Sequence, residues 1–167
     1  MLTVLGLGSN RGDSQNIILK AITELEKHLQ ELCCASFYKT EPLYVKEQPF
    51  FINTAICGLY SGNAQELLEC IHIIESQFGR DRTREMRHGE RSLDIDILLF
   101  GDTVYSSNDL IIPHPGLKER RFALEPLLEL LPQALCPETG QSYKTICDSL
   151  PLQGVKKIPR KGFSKKL

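Results

Sequence analysis

One stretch constrains this chain more than any other: residues 80–100, RDRTREMRHGERSLDIDILLF. Its second half alternates acidic and aliphatic residues. Successive side chains of a strand point to opposite faces, so Asp94 and Asp96 share one face while Leu93, Ile95 and Ile97 share the other. Alternate Cα atoms lie ~6.6 Å apart, and two carboxylates so placed can converge on one or two hard divalent cations, which prefer oxygen ligands. The first half carries the opposite charge, with Arg80, Arg82, Arg84, Arg87 and Arg91 set against Asp81, Glu85 and Glu90. Carboxylates that need a metal, beside guanidinium groups that need anions, describe a site for a metal-bound polyphosphate. Taken separately, the halves also fit an acidic edge strand and an arginine-rich surface loop. The aliphatic continuation through Leu98, Leu99 and Phe100 argues for a central strand.

The 167 residues suit one domain with a real core. We expect that domain over residues 1–154 and a basic tail over 155–167. The tail holds six Lys or Arg and no acid, so the rest of the chain is net acidic. It lacks the aromatic–basic interleaving of a nucleic-acid surface, and we expect a solvated, disordered terminus and no nucleic-acid partner. No apolar run approaches the ~20 residues of a membrane span, and MLTVLGLGSN lacks the basic n-region of a signal peptide. The six cysteines are scattered, without CxxC pairs or histidines at zinc-ligand spacing. Reduced thiols in a cytoplasmic protein are therefore expected.

Residues 2–7 read as a buried strand, followed by a glycine turn and a helix capped at Asp13 or Ser14, with Ile18, Ile22, Leu25, Leu29 and Leu32 on its inner stripe. GLGSNRG is no dinucleotide loop, because its glycines are spaced GxGxxxG. Residues 34–40 and 51–59 read as an antiparallel pair joined by a Pro-bracketed loop over 41–49. Asn63 and Glu66 form a capping box for a second helix whose face is Leu67, Ile71, Ile74 and Phe78, ended by Gly79. After the acidic strand, a Gly101-Asp102 turn predicts residues 103–105 as its hairpin partner. Residues 110–113 read as extended, then His114-Pro115 opens a helical stretch with Lys118, Arg120, Arg121 and Phe122. Residues 124–131 read as the last core helix, stopped by Pro132. The order is that of an α+β, ferredoxin-like β-α-β-β-α-β core, a mainly antiparallel sheet with helices on one face and an added hairpin.

These residues also carry a resemblance. HGERSLDIDILLF is similar to the signature of the 6-hydroxymethyl-7,8-dihydropterin pyrophosphokinases. LGLGSNRGD, SFYKTEPL, QPFFINTAI, IESQFGRDR and IPHPGLKERRFALEPLLEL follow in family order, leaving about the last 25 residues without counterpart. The resemblance implies Mg²⁺-dependent transfer of the β,γ-diphosphate of ATP to a pterin alcohol in folate biosynthesis, with two Mg²⁺ ions at Asp94 and Asp96. It assigns nucleotide binding to Glu75, Arg80, Arg82, Arg91, Ile97, His114 and Arg120. Thr40, Pro42, Leu43, Phe51, Asn53 and Phe122 match the pterin side, where a flat ring wants two aromatic faces and an amide partner. The implied reaction is in-line attack of the pterin hydroxymethyl oxygen on the β-phosphorus of ATP, releasing AMP, with Arg82 and Arg91 clamping phosphates. The loops over 41–49 and 80–89 are expected to order on substrate binding. A functional link to dihydropteroate synthase is implied as well. Three positions depart from the family pattern: His88 replaces a loop aromatic, Glu90 a frequent Pro, and Pro115 a Tyr. Two other readings fit the anionic pocket, a nucleotide-binding module that uses its tail on RNA and a metal-dependent nuclease. Formation of AMP that requires the reduced pterin alcohol distinguishes all three.

Overall fold

The computed structural model describes residues 1–42, 47–80 and 90–159. The segment LTVLGLGS forms the strand β1 (Leu2–Ser9), buried on both faces, and the sheet is built outward from it. On one side β1 pairs antiparallel with β4 (Phe51–Leu59), from Leu2↔Leu59 to Ser9↔Ile52. On the other it pairs antiparallel with β5 (Asp94–Phe100), placing Gly8 opposite Asp94 and Gly6 opposite Asp96. The far edge of β4 is shared by β2 (Gln30–Cys34) and β3 (Phe37–Thr40), and β3 in turn pairs with β8 (Lys156–Ile158).

The helices α1 (Ser14–Leu25) and α2 (Ala64–Gln77) cover one face. Asp13 Oδ1 accepts from Asn16 N to cap α1, and the Asn63–Glu66 capping box closes the N-terminus of α2. Their inner residues Ile18, Ile22, Leu25, Leu67, Ile71 and Ile74 meet Leu5, Leu7, Ile95 and Ile97 from the sheet. Each such side chain contributes ~1.5–3 kcal/mol by leaving water. The opposite face packs Val4, Ala55, Leu98 and Leu99 against α3 (Arg121–Leu130) and α4 (Tyr143–Ser149).

The ferredoxin-like antiparallel core is therefore present, with several corrections. Helices cover both faces, not one. That explains the LLF run: β5 is apolar on both sides because α2 and α3 flank it, yet it is the edge strand of its sheet and not a central one. Residues 34–40 do not form one strand, since β2 and β3 break at Ala35-Ser36, and Leu32 lies in β2 instead of extending the stripe of α1. Residues 103–105 are not the hairpin partner of β5. Tyr105–Ser106 (β6) pairs with Ile111–Ile112 (β7) in a separate two-stranded ribbon. The helix over 124–131 is not the last, because Ser142 caps α4, seven residues too short to show a helical period. Part of the expected tail is ordered as β8; residues 160–167 lie outside the described residues. All six cysteines are free thiols. No described helix is long and apolar enough to cross a membrane.

Candidate active site

Asp94 and Asp96 do share one face of β5, and their surroundings give them different states. Arg80 Nη1 lies 2.6 Å from Asp94 Oδ1 and Arg91 Nη1 2.5 Å from Asp94 Oδ2. Burial would raise the Asp94 carboxyl, but the two guanidinium groups outweigh it and hold it below the usual carboxylate range. Asp96 has no such clamp among the described residues. Its side chain lines the cleft, and desolvation there, followed by the charge of Asp94, pushes it up to about 7 against the pull of Arg120. A carboxylate short of positive charge is a cation acceptor in waiting. Among the described residues no group of three or more His, Cys, Asp and Glu converges. A cation here would therefore rest on two carboxylates, substrate oxygens and water, the pattern of Mg²⁺ and not of a protein-caged metal.

Two elements cover the outer edge of β5. Glu75, 1% exposed on α2, accepts from Ile95 N at 2.8 Å and pairs with Arg80. His114 N donates to Leu98 O at 3.1 Å. The same histidine accepts at Nδ1 from Gly116 N, so its ring proton sits on Nε2, which faces Asp96 Oδ2 at 3.7 Å. Burial, and then the charge of Arg120, lower His114 to about 4, so the imidazole is neutral at physiological pH.

A cavity of ≈ 120 Å³ opens against this face, bounded by Thr40, Pro42, Phe51, Asn53, Phe122 and the two aspartates. The Asn53 amide is fixed inside it. Asn53 Nδ2 donates to Thr40 Oγ1 at 2.8 Å, and Asn53 Oδ1 lies 2.9 Å from where a Cβ on Gly8 would stand. A side chain at position 8 would push that amide from its place. Arg120 reaches the same cavity, its Cζ 5.9 Å from the centre of the Phe122 ring. A second cavity of ≈ 240 Å³ is lined by Leu68, His72, Ile97 and Pro115. Asp96 and His114 line both cavities and stand at their common wall, with Asp94 on the side of the first.

The fold thus gathers Glu75, Arg80, Arg91, Asp94, Asp96, Ile97, His114 and Arg120 with Thr40, Pro42, Phe51, Asn53 and Phe122. Arg82, Leu43 and His88 lie outside the described residues. Glu90 is exposed, and Pro115 takes the first position of a 3-10 turn, Pro115–Glu119. Sequence reasoning missed Asn10, 3% exposed. Its Oδ1 accepts from Arg91 N at 2.8 Å, and its Nδ2 donates to Gln48 Oε1 at 3.2 Å and Pro49 O at 3.4 Å. One side chain thereby ties the ends of two loops to β1. The only signal was an Asn inside a glycine turn, which reads as turn chemistry.

Residues 4–132 match the family model for 7,8-dihydro-6-hydroxymethylpterin-pyrophosphokinase (HPPK). The chain is 39% identical over 146 residues to the 2-amino-4-hydroxy-6-hydroxymethyldihydropteridine pyrophosphokinase of Bacillus subtilis, covering 84% of this chain and 86% of that one. It is 39% identical over 158 residues to the folic acid synthesis protein fol1 of Schizosaccharomyces pombe, spanning 93% of this chain but only 21% of that longer relative. The fold is similar to a Plasmodium falciparum HPPK-DHPS crystal structure with a TM-score of 0.70 at 15% identity, over 88% of this chain and 45% of that one. The chain belongs to the 7,8-dihydro-6-hydroxymethylpterin-pyrophosphokinase family.

Proposed function

We propose that this chain is a 2-amino-4-hydroxy-6-hydroxymethyldihydropteridine diphosphokinase, which transfers diphosphate from ATP to 6-hydroxymethyl-7,8-dihydropterin and releases AMP in folate biosynthesis. The observation that carries this reading is Asp96, with Asp94 beside it on one face of β5, at the wall between two cavities of different character. In the first, Phe51 and Phe122 offer apolar faces to a flat bicyclic ring, and the Asn53 amide offers hydrogen-bond groups to its edge. In the second, Ile97 and Leu68 give an apolar seat for a purine, with His114 in its wall.

The pterin hydroxyl oxygen forms a bond to the β-phosphorus, the bond from that phosphorus to the α,β-bridging oxygen breaks, AMP departs, and the hydroxyl proton leaves to solvent. Mg²⁺ ions bound by Asp94 and Asp96 would supply charge neutralisation across the phosphates and lower the pKa of the attacking hydroxyl. Arg91 and Arg80 exchange a carboxylate for phosphate oxygens, a bidentate contact for which the guanidinium is suited. Arg82 joins them as a phosphate clamp. Neutral His114 offers its Nε2 proton to a phosphate oxygen next to Asp96, with no charge to lose.

We place the protein in the cytoplasm, in keeping with its free thiols, with a functional link to dihydropteroate synthase as the HPPK-DHPS relatives suggest. The deciding experiment follows AMP formation from ATP and Mg²⁺ with and without the reduced pterin alcohol. Pterin-dependent AMP supports the proposal. AMP or nucleotide products independent of pterin overturn it.

A further inference from the structure

Gln153 lies beyond the residues matched by the family model, and its side chain reaches back to the rim of the site. Its Oε1 accepts from Arg121 N at 2.9 Å, and its Nε2 donates to Glu119 O at 2.8 Å. The two peptide groups so held flank Arg120, one before it and one after. Arg120 needs such a grip. It is the single extended residue, at φ −119° and ψ 100°, between the 3-10 turn Pro115–Glu119 and α3, and it gives α3 no side-chain cap. The Arg121 N–H belongs to the first turn of α3 and has no partner within that helix, so the Gln153 amide oxygen serves as the cap that position 120 lacks.

The phase of this junction decides which side chains enter the cavity. Arg120 and Phe122 point into it. Arg121 turns the other way, donating through Nη1 to Cys147 O at 3.0 Å and Leu150 O at 2.9 Å, the carbonyls at the C-terminal end of α4. The Arg120 guanidinium lies over Gly116, where a Cβ would meet its Cζ at 2.7 Å. A rotation of the backbone at position 120 would swing the guanidinium off Gly116 and away from the cavity.

We propose that Gln153 is a positioning residue that sets the direction of Arg120 and, through it, the hold on the transferred phosphates. The proposal rests on the diphosphokinase reading above. A second readout therefore does not need that reading: affinity for inorganic tripolyphosphate with Mg²⁺, measured by titration calorimetry.

The test is a double-mutant cycle on the full chain with Gln153→Ala, Gln153→Glu, Arg120→Ala and the double variant Gln153→Ala/Arg120→Ala. Two neutral hydrogen bonds are at stake, so Gln153→Ala is expected to lower kcat/KM and tripolyphosphate affinity by about five- to tenfold. In the Arg120→Ala background the same change is expected to cost less than about twofold. Gln153→Glu keeps the acceptor for Arg121 N and loses the donor to Glu119 O, and is expected to fall between. Equal losses in both backgrounds, or a lowered melting temperature with kcat/KM and tripolyphosphate affinity unchanged, would overturn the proposal. Coupling in tripolyphosphate affinity in a chain that forms no AMP would sustain the role of Gln153 and refute the diphosphokinase reading alone. Absence of tripolyphosphate binding by the unaltered chain would overturn the proposal.

Discussion

The Glu75 carboxylate accepts the Ile95 backbone N–H at 2.8 Å, so a side chain from α2 takes the place of a neighbouring strand, which β5 lacks on that side among the described residues, midway between the two aspartates. This relationship joins stability to function. It holds the pitch of the acid pair, and the same carboxylate also holds Arg80. Glu75→Ala should leave a buried N–H without its acceptor and cost about 2–3 kcal/mol in urea unfolding. Glu75→Gln keeps an oxygen for Ile95 N and should cost less than half as much. Equal costs for the two variants would mean that the backbone bond is not what matters.

Asp96→Asn should separate folding from catalysis. The Asp96 carboxyl is raised by burial and by Asp94, so replacing it with a neutral amide relieves repulsion and should leave the melting temperature unchanged or higher at neutral pH. The rate of AMP formation should fall by on the order of 10³ or more, as expected when a preorganised charge contact is removed from phosphoryl transfer. Near-normal turnover would remove the acid pair from the mechanism.

Asn10→Ala breaks the tie between Arg91 and the 48–49 segment. The Arg91 N–H loses its acceptor in a nearly closed site, at about 1–3 kcal/mol of stability. Because Asn10 holds the nucleotide-side and pterin-side loop ends together, KM should rise for both substrates. A rise confined to one substrate would show that the two ends are held independently.

Glu129 on α3 gives an acid-dependent contribution far from the aspartates. It accepts from Ser36 N at 3.1 Å, Ser36 Oγ at 2.7 Å, Tyr38 OH at 2.9 Å and Lys157 Nζ at 3.0 Å. Burial would raise its carboxyl, but these donors outweigh it and hold it below the ordinary glutamate value. A lowered folded pKa stabilises above the unfolded value, ~4.3, and that stabilisation is lost as pH falls through the folded one. The stability gap between the unaltered chain and Glu129→Gln should therefore be widest near pH 7 and close in acid. Chemical denaturation at a series of pH values measures it.

Local pattern carried much of this protein. Period-two alternation placed Asp94 and Asp96 on one face of β5, the capping box placed the start of α2, and β-branched and aromatic content gave β4 as Phe51–Leu59. Where the reading failed, non-local contacts had decided. Aliphatic residues on both sides of β5 signalled two covered faces, and a sequence cannot distinguish covered faces from paired edges. The hairpin expected at residues 103–105 went to β7 instead, a pairing set where the chain returns past β5 to place His114 N on Leu98 O.

Asparagine and glutamine marked the same boundary within the site. Asn53 could be read as a candidate because it sits on a strand whose phase is legible. Asn10 and Gln153 could not, because an amide in a turn or a loop has no phase, and its partners lie 81 and 32 residues away. Side-chain period and charge, which follow from neighbours along the chain, fixed which groups face the cleft. Only folding decided which of those groups are neutralised, which remain charge-starved, and which distant amides hold them, because burial and pairing depend on what the rest of the chain brings alongside.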